Sequence, residues 1–557
     1  MLTGLAELGK STEQSRGPFM RRTAGNQTFK SISFLWLMFL LFMAGMKSNS
    51  YALLAFAALL GAVSCLRAQE PPTPTIATYA GLTFTEENSA TWTIEATSDL
   101  SQDNGWSVVA DKVFIQGGTP TLWLDPSPIQ DAGQRFYRVV APAPPSTWVG
   151  TKQLGAADQI TFGNALATDS GGHVYVAGST KGGLDGNTLT GTYDFYLSKY
   201  SSSGVRLYTK QLGVAGRDTV ATAVATDAND NVYVAGYTTG GLYGNTMQPD
   251  STHEVFISKY DSSGVKQFTR QLGVAGEKKV GVAVAIDASG NIFVAGYTTG
   301  ALDGYTMTGT VDSFFSKYNS EGVKQFTRLL GVAGKETRGY GVATDASGNV
   351  FVAGYTEGSL DDNALTGTRD FFVTKYDPSG VKQFTRQLGA VGAVTVGTAV
   401  TTDDKGDVFV VGYTEGSLDG NTLTGTRDFF VAKYDPSGVK QFTRQLGAVG
   451  AVTVGNEVAT DLVGDVFVAG STTGGLDGNA RTGIHDVFVT KYSPNGVKLF
   501  TRQLGVAGRE TYGNGVATDP MGDVFVAGST SGGLDGNIQT GVYDFFVTKF
   551  DPDGVKQ

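Results

Sequence analysis

The chain repeats itself, and that fact constrains its fold more than any other. The motif T-[RK]-Q-L-G begins at Thr151, Thr209, Thr269, Thr327 (as TRLLG), Thr385, Thr443 and Thr501. The spacing is 58 residues, rising to 60 across the second copy, where MQPDST carries a two-residue insertion. Seven units fill residues 151–557, and copies five and six share GAVGAVTVG outright, the mark of recent duplication. A fixed period of this size implies like units that bury surface against one another, not one conventional core.

Each unit reads as four strands. In the last copy these are YGNGVATD, DVFVAGST, YDFFVTKF and VKQ, with earlier copies running on to VKQFTRQLG. ATDPMGD and DPDG join them as tight turns, built from residues that favour turn geometry. Glycine, 77 of 557 residues, fits many short strands with tight connections. Val524, Phe525, Val526 and Ala527 are all apolar, so the second strand is expected to be buried on both faces. Four strands in about 58 residues is the size of one propeller blade. The pattern GVATDxxGDVFVAGST…DFFVTKYDPSGVKQFTRQLG resembles the SBBP family of bacterial β-propeller repeats, and more distantly NHL-type repeats, over all seven units, about 73% of the chain. The resemblance implies a propeller, usually exported, and no specific activity. The expected fold is therefore all-β: a seven-bladed propeller over residues 148–557. The chain enters at Trp148–Leu154 as an outermost strand and leaves at Gly554–Gln557 with that strand unfinished, so the N-terminal segment is predicted to complete the last blade.

Residues before the repeats follow other rules. Two apolar runs, Ile32–Gly45 and Tyr51–Val63, are each shorter than the roughly 20 residues of a spanning helix. The second follows Met46-Lys47 and leads into Ser64-Cys65-Leu66-Arg67-Ala68, the layout of a signal peptide at 46–68. Residues 1–45 then read as an upstream extension that is not translated, with a membrane anchor as the rival. AVSC is a degenerate lipobox that would make Cys65 a lipidation site; an incidental cysteine before cleavage near Ala68 is the plainer reading. Residues 71–140 contain strand-like pieces, TWTIEAT, WSVVAD and RFYRVVA among them, spaced as in a small β-sandwich-like domain. Residues 141–147 form a Pro-rich linker. The protein is expected to be secreted, periplasmic or on the outer cell surface, touching membrane only through the signal segment or a lipid anchor.

Charge and motifs exclude more than they identify. The net charge is −10; residues 1–68 hold seven Lys/Arg against two Asp/Glu, so the remainder carries −15. Such a surface gives no footprint for nucleic acid. One cysteine rules out an intrachain disulfide, and three histidines (His173, His253, His485) leave little for a His-built centre. GxSxG, HExxH, Walker and CxxC motifs are absent. Sevenfold repetition of Asp169 and Lys199 and their equivalents argues for turn caps and inter-blade contacts, because chemistry needs one asymmetric constellation.

With four antiparallel strands per blade, the two long connections fall on one face, which is the candidate binding surface. Departures from the repeat single out residues there. One column at the start of the innermost strand reads Asn164, Thr222, Val282, Tyr340, Thr398, Asn456, Asn514. The next reads Ala165, Ala223, Ala283, Gly341, Ala399, Glu457, Gly515. Glu457 could hold a cation or an amine, or stand solvated at the channel mouth; Tyr340 could stack on a ligand or fill space; Asn164, Asn456 and Asn514 line the same ring. The LDGN loops give Asp185, Asp303, Asp361, Asp419, Asp477 and Asp535, with Tyr243 in copy two. Nine residues on stand Asp194, Asp312, Asp370, Asp428, Asp486 and Asp544, against Glu254 in copy two, where the insertion widens the gap. Paired carboxylates with a nearby Asn suit Ca²⁺, the one cofactor considered; turn capping is the competing reading. The expected function is a non-catalytic scaffold binding a protein or glycan. A polysaccharide lyase or hydrolase using channel carboxylates, and a structural envelope component, are the alternatives.

Overall fold

The computed structural model describes residues 148–273 and 275–557, together with six short strands nearer the N-terminus. The chain divides into two compact units, residues 1–146 and 147–557. In the first, Leu53–Phe56, Gly81–Thr85 and Thr121–Leu124 form one three-stranded sheet, and Ser107–Ile115, Ala90–Thr97 and Phe136–Val140 another. Leu53–Phe56 lies inside the segment read as an export signal, so cleavage there would leave the first sheet two-stranded. Cys65, the 1–45 extension and the 141–147 linker lie outside the described residues.

The second unit is a seven-bladed propeller. Blades 1 to 7 begin at Thr161, Thr219, Lys279, Thr337, Thr395, Thr453 and Thr511. Blade 5 is typical: its first to fourth strands are Thr395–Thr402, Val408–Thr414, Asp428–Tyr434 and Lys440–Leu446, each antiparallel to the next. First strands adjoin one another around the whole ring, blade 7 against blade 1 included. Apolar residues of consecutive blades share seven clusters, one at each junction. Rings stack across the junctions, as Phe371 does on Phe430 with centroids 4.8 Å apart. The second strands are buried along almost their whole length, as the continuous apolar run predicted. Burial on both faces by neighbouring blades is the physical reason.

Closure follows the predicted route. Lys152–Leu154 pairs antiparallel with Phe545–Val547, and the Gly150 amide donates to the Gln557 carbonyl at 3.0 Å, joining the first and last segments of the propeller into one outer strand. Gln153 then does for blade 7 what Gln445 does for blade 5. Its Oε1 accepts from Leu534 N–H at 3.0 Å and its Nε2 donates to Asp544 at 2.9 Å. Trp148 is buried, meets Phe525 edge-on at 5.3 Å and packs on Gly204. Phe500 of blade 6 packs in the same way on Gly554.

The repeated polar residues also tie blades together. Lys375 Nζ donates to the Pro436 carbonyl of the next blade at 2.9 Å, and Lys433 to that of Pro494 at 3.1 Å. Asp169 accepts from His173 and Tyr175 within its own turn. Burial would raise its carboxyl, but hydrogen bonds from the His173 side chain and backbone outweigh that and hold it at about 2. These residues are turn caps and junction contacts.

Candidate functional site

The loops between second and third strands and those between blades do fall on one face. At that face every first strand carries a β-bulge, because its register slips between Gly397 and Ala399 and at the six equivalent points. The bulged residues are Asn164, Thr222, Val282, Tyr340, Thr398, Asn456 and Asn514. Glycine must face the bulge from the second strand: a Cβ on Gly412 would sit 1.8 Å from the Val396 carbonyl oxygen. Bulging turns the side chain toward the neighbouring blade. Asn164 Nδ2 donates to the Ala221 carbonyl, Asn456 to Gly513 and Asn514 to Gly163, each at 2.8 Å. Thr222 and Thr398 donate likewise to Gly281 (2.9 Å) and Gly455 (2.7 Å). These residues therefore stitch the ring, each asparagine through one of its two amide protons.

The bulges surround an axial cavity of about 570 Å³. Glu457 lines it, half-buried, with its Oε1 accepting from Val458 N–H at 3.0 Å. Burial pushes its carboxyl up to about 7. Tyr340 lines the same cavity and meets Tyr297 and Tyr355 at 6.3 and 5.8 Å between centroids.

The paired aspartates have separate partners. Asp428, fully buried, accepts from Thr424 N–H (2.8 Å), Gly425 N–H (2.8 Å) and Gln445 Nε2 (3.0 Å). Asp194, Asp312, Asp370, Asp486 and Asp544 cap their loops in the same way. Asp419 instead takes a left-handed backbone, φ 54°, and pairs with Lys440. Asp303, Asp361, Asp477 and Asp535 pair with the equivalent lysines, and Asp185 with Arg206. Turn capping and ion pairing thus account for both members of each pair. Among the described residues no three His, Cys, Asp or Glu side chains gather as a metal site would require.

The most asymmetric feature was missed in the sequence reading. After the second-strand glycine, the residues are Ser179, Tyr237, Tyr297, Tyr355, Tyr413, Ser471 and Ser529, so four consecutive blades have a tyrosine there and three a serine; Tyr237, Tyr297 and Tyr413 are half-buried and Tyr355 is buried. Arginines lie over three of these rings: Arg338 over Tyr297 (4.7 Å), Arg369 over Tyr355 (4.7 Å) and Arg427 over Tyr413 (4.2 Å). Each arginine is itself paired: Arg338 with Glu336 at 3.2 Å, Arg369 with Glu357 at 2.9 Å, and Arg427 with Glu415. Arg338, Arg369, Tyr340, Tyr355 and Tyr413 line a cavity of about 590 Å³. Reading the repeats as columns would have exposed the change from AGST to AGYT. Across the ring, His485 lies on Tyr512 at 4.7 Å and beside Glu510, to which Tyr543 donates.

A family model described as a β-propeller repeat, SBBP, matches seven times, at residues 149–185, 207–244, 267–302, 325–361, 383–419, 441–477 and 499–535. The chain is 27% identical over 432 residues to the regulatory protein FlaEY of Caulobacter vibrioides. That match covers 68% of this chain and 43% of FlaEY, so the chain spans less than half of that relative's length. Among solved structures, it is similar to the β-propeller domain of the Trilobed protease from Pyrococcus furiosus (8% identity, TM-score 0.38, 73% of this chain and 96% of that one). It is also similar to a polysaccharide lyase, an ulvan lyase (12% identity, TM-score 0.38, 71% and 95%). With seven repeat matches across residues 149–535 and seven blades in the structure, the chain belongs to the SBBP family of β-propeller repeats.

Proposed function

We propose that the propeller is a non-catalytic binding scaffold of an exported protein, and that its long-loop face takes a glycan across blades 3 to 5. The observation that carries this reading is the Tyr–Arg array of Tyr297, Tyr355 and Tyr413 beneath Arg338, Arg369 and Arg427. A concave site with aromatic walls and a few fixed polar groups suits ligands with an apolar face and many hydroxyls. Sugar rings have both, and the guanidinium–carboxylate pairs offer donors and acceptors side by side. Three arginines face three glutamates, so the array has no net charge and favours a neutral glycan over an acidic one. The same pairing supports a non-catalytic role: glycoside hydrolysis needs two carboxyl groups flanking the bond, and here each carboxylate is held by an arginine. Export rests on the apolar run that follows Met46-Lys47. Affinity electrophoresis of the full chain through gels containing laminarin, xylan or alginate tests the reading. Retardation in a neutral-polysaccharide gel is expected, and Tyr413→Ala should abolish it. Unretarded migration in all three gels would overturn the glycan assignment.

A further inference from the structure

Glu457 stands where the other six blades have Ala165, Ala223, Ala283, Gly341, Ala399 and Gly515. Among the described residues it is the one Asp, Glu, Lys or Arg side chain lining the axial cavity. Among the described residues no Lys, Arg or His lies within ion-pair distance of it, and a single backbone amide serves its two oxygens. The strands packed against it are Thr395–Thr402, Thr511–Thr518 and Val466–Thr472, and together they carry one titratable group, Tyr512. A desolvated carboxylate in this setting is short of hydrogen-bond donors.

No Asn or Thr of the cavity wall donates to this carboxylate. Asn456, Asn514 and Asn164, on the consecutive blades 6, 7 and 1, have each given an Nδ2 proton to a neighbouring carbonyl, and no hydrogen bond reaches their Oδ1 atoms. Thr222 and Thr398 have given their hydroxyl protons away as well. The polar lining therefore offers three amide oxygens free of hydrogen bonds, beside the second Nδ2 proton that each amide keeps. By ring order, the blades facing this polar arc are 3 and 4, and they present Val282 and Tyr340. Acceptors with one carboxylate on one side and an aromatic wall on the other match a group with several N–H donors, a positive charge and an alkyl stem.

We infer that the axial cavity binds a primary alkylammonium group, with Glu457 as its counter-ion and Tyr340 as its aromatic wall. This site does not depend on what the Tyr–Arg array binds. An amine can come as a free aliphatic amine or as an amino sugar, and the test separates them. Calorimetric titration of the full chain at about pH 8 would use 1,4-diaminobutane, glucosamine and N-acetylglucosamine. One-to-one binding of 1,4-diaminobutane is expected; if glucosamine binds too, amino sugars fit as well. Glu457→Gln should weaken binding at least tenfold. Lowering the pH to about 6, where 1,4-diaminobutane stays charged but the carboxyl takes up its proton, should weaken its binding about tenfold in the wild type alone. Because Glu457→Ala installs the residue of four other blades, it serves as a folded control and should also fail to bind. No binding of either amine, equal affinity in Glu457→Gln, or N-acetylglucosamine binding as well as glucosamine would each overturn the assignment.

Discussion

Blade 5 and the junction of blades 2 and 3 are made from the same repeat, yet they differ at three of its polar positions. In blade 5, Thr395 and Thr414 share a hydrogen bond at 3.1 Å, Asp428 caps its loop, and Asp419 pairs with Lys440. At the 2–3 junction, Lys279 replaces the threonine, Glu254 replaces the capping aspartate and Tyr243 replaces the ion-pairing one. Lys279 is fully buried and its Nζ has no hydrogen-bond partner. Tyr243 keeps the left-handed backbone, φ 50°, that suits Asp or Gly but strains a bulky residue. Its ring meets Lys266, whose ammonium burial lowers to about 8. Repetition thus builds the ring, and departures from it cost stability unless another role holds them in place.

Substitutions at repeated contacts should break that contrast most severely. Trp148→Ala removes the ring that stands in for the missing phenylalanine of blade 7, and should lower stability by about 3–5 kcal/mol in chemical denaturation. Departures should behave the opposite way. Glu457 has a carboxyl raised to about 7 in the fold and near its ordinary 4.5 when unfolded. The folded chain therefore binds more protons between these values, and stability falls as pH rises through that window. Glu457→Gln should be more stable than the wild type by about 2–3 kcal/mol at pH 8 and gain nothing at pH 4, as melts at the two pH values would reveal. Lys279→Thr, restoring the paired threonine, should stabilise by about 1–2 kcal/mol. Tyr243→Asp, relieving strain and restoring a partner for Lys266, should add about 1 kcal/mol. Millimolar Ca²⁺ should leave the melting midpoint where EDTA leaves it, because both carboxylates of each LDGN pair already have partners; a rise would reassign them as ligands.

Much of this was legible in the chain itself. Spacing and turn chemistry yield seven blades, the apolar second strand, the long-loop face and the closing role of Trp148–Leu154. The bulge was not legible: a register slip leaves no mark on residue identity, so the locking of neighbouring blades by the amides of Asn164, Asn456 and Asn514 could not be read from their column. The partners of the aspartate pairs were hidden for a related reason. Nine residues of separation say nothing of backbone handedness, and the left-handed turn at Asp419 directs it to Lys440 while Asp428 turns inward. The tyrosine half-ring was present as a column difference, but its meaning needed Arg338, Arg369 and Arg427, which come from other columns and meet the rings only in the folded blade.

We propose that binding resides in the departures and folding in the repeats. The most direct test is calorimetric titration of a Tyr297→Ser, Tyr413→Ser double variant of the full chain with whichever polysaccharide retards the wild type. Both serines are already native to blades 1, 6 and 7 at this position. The account predicts a cooperative melt close to that of the wild type, with affinity lowered at least tenfold. A variant that melts normally and binds as tightly as the wild type would contradict it.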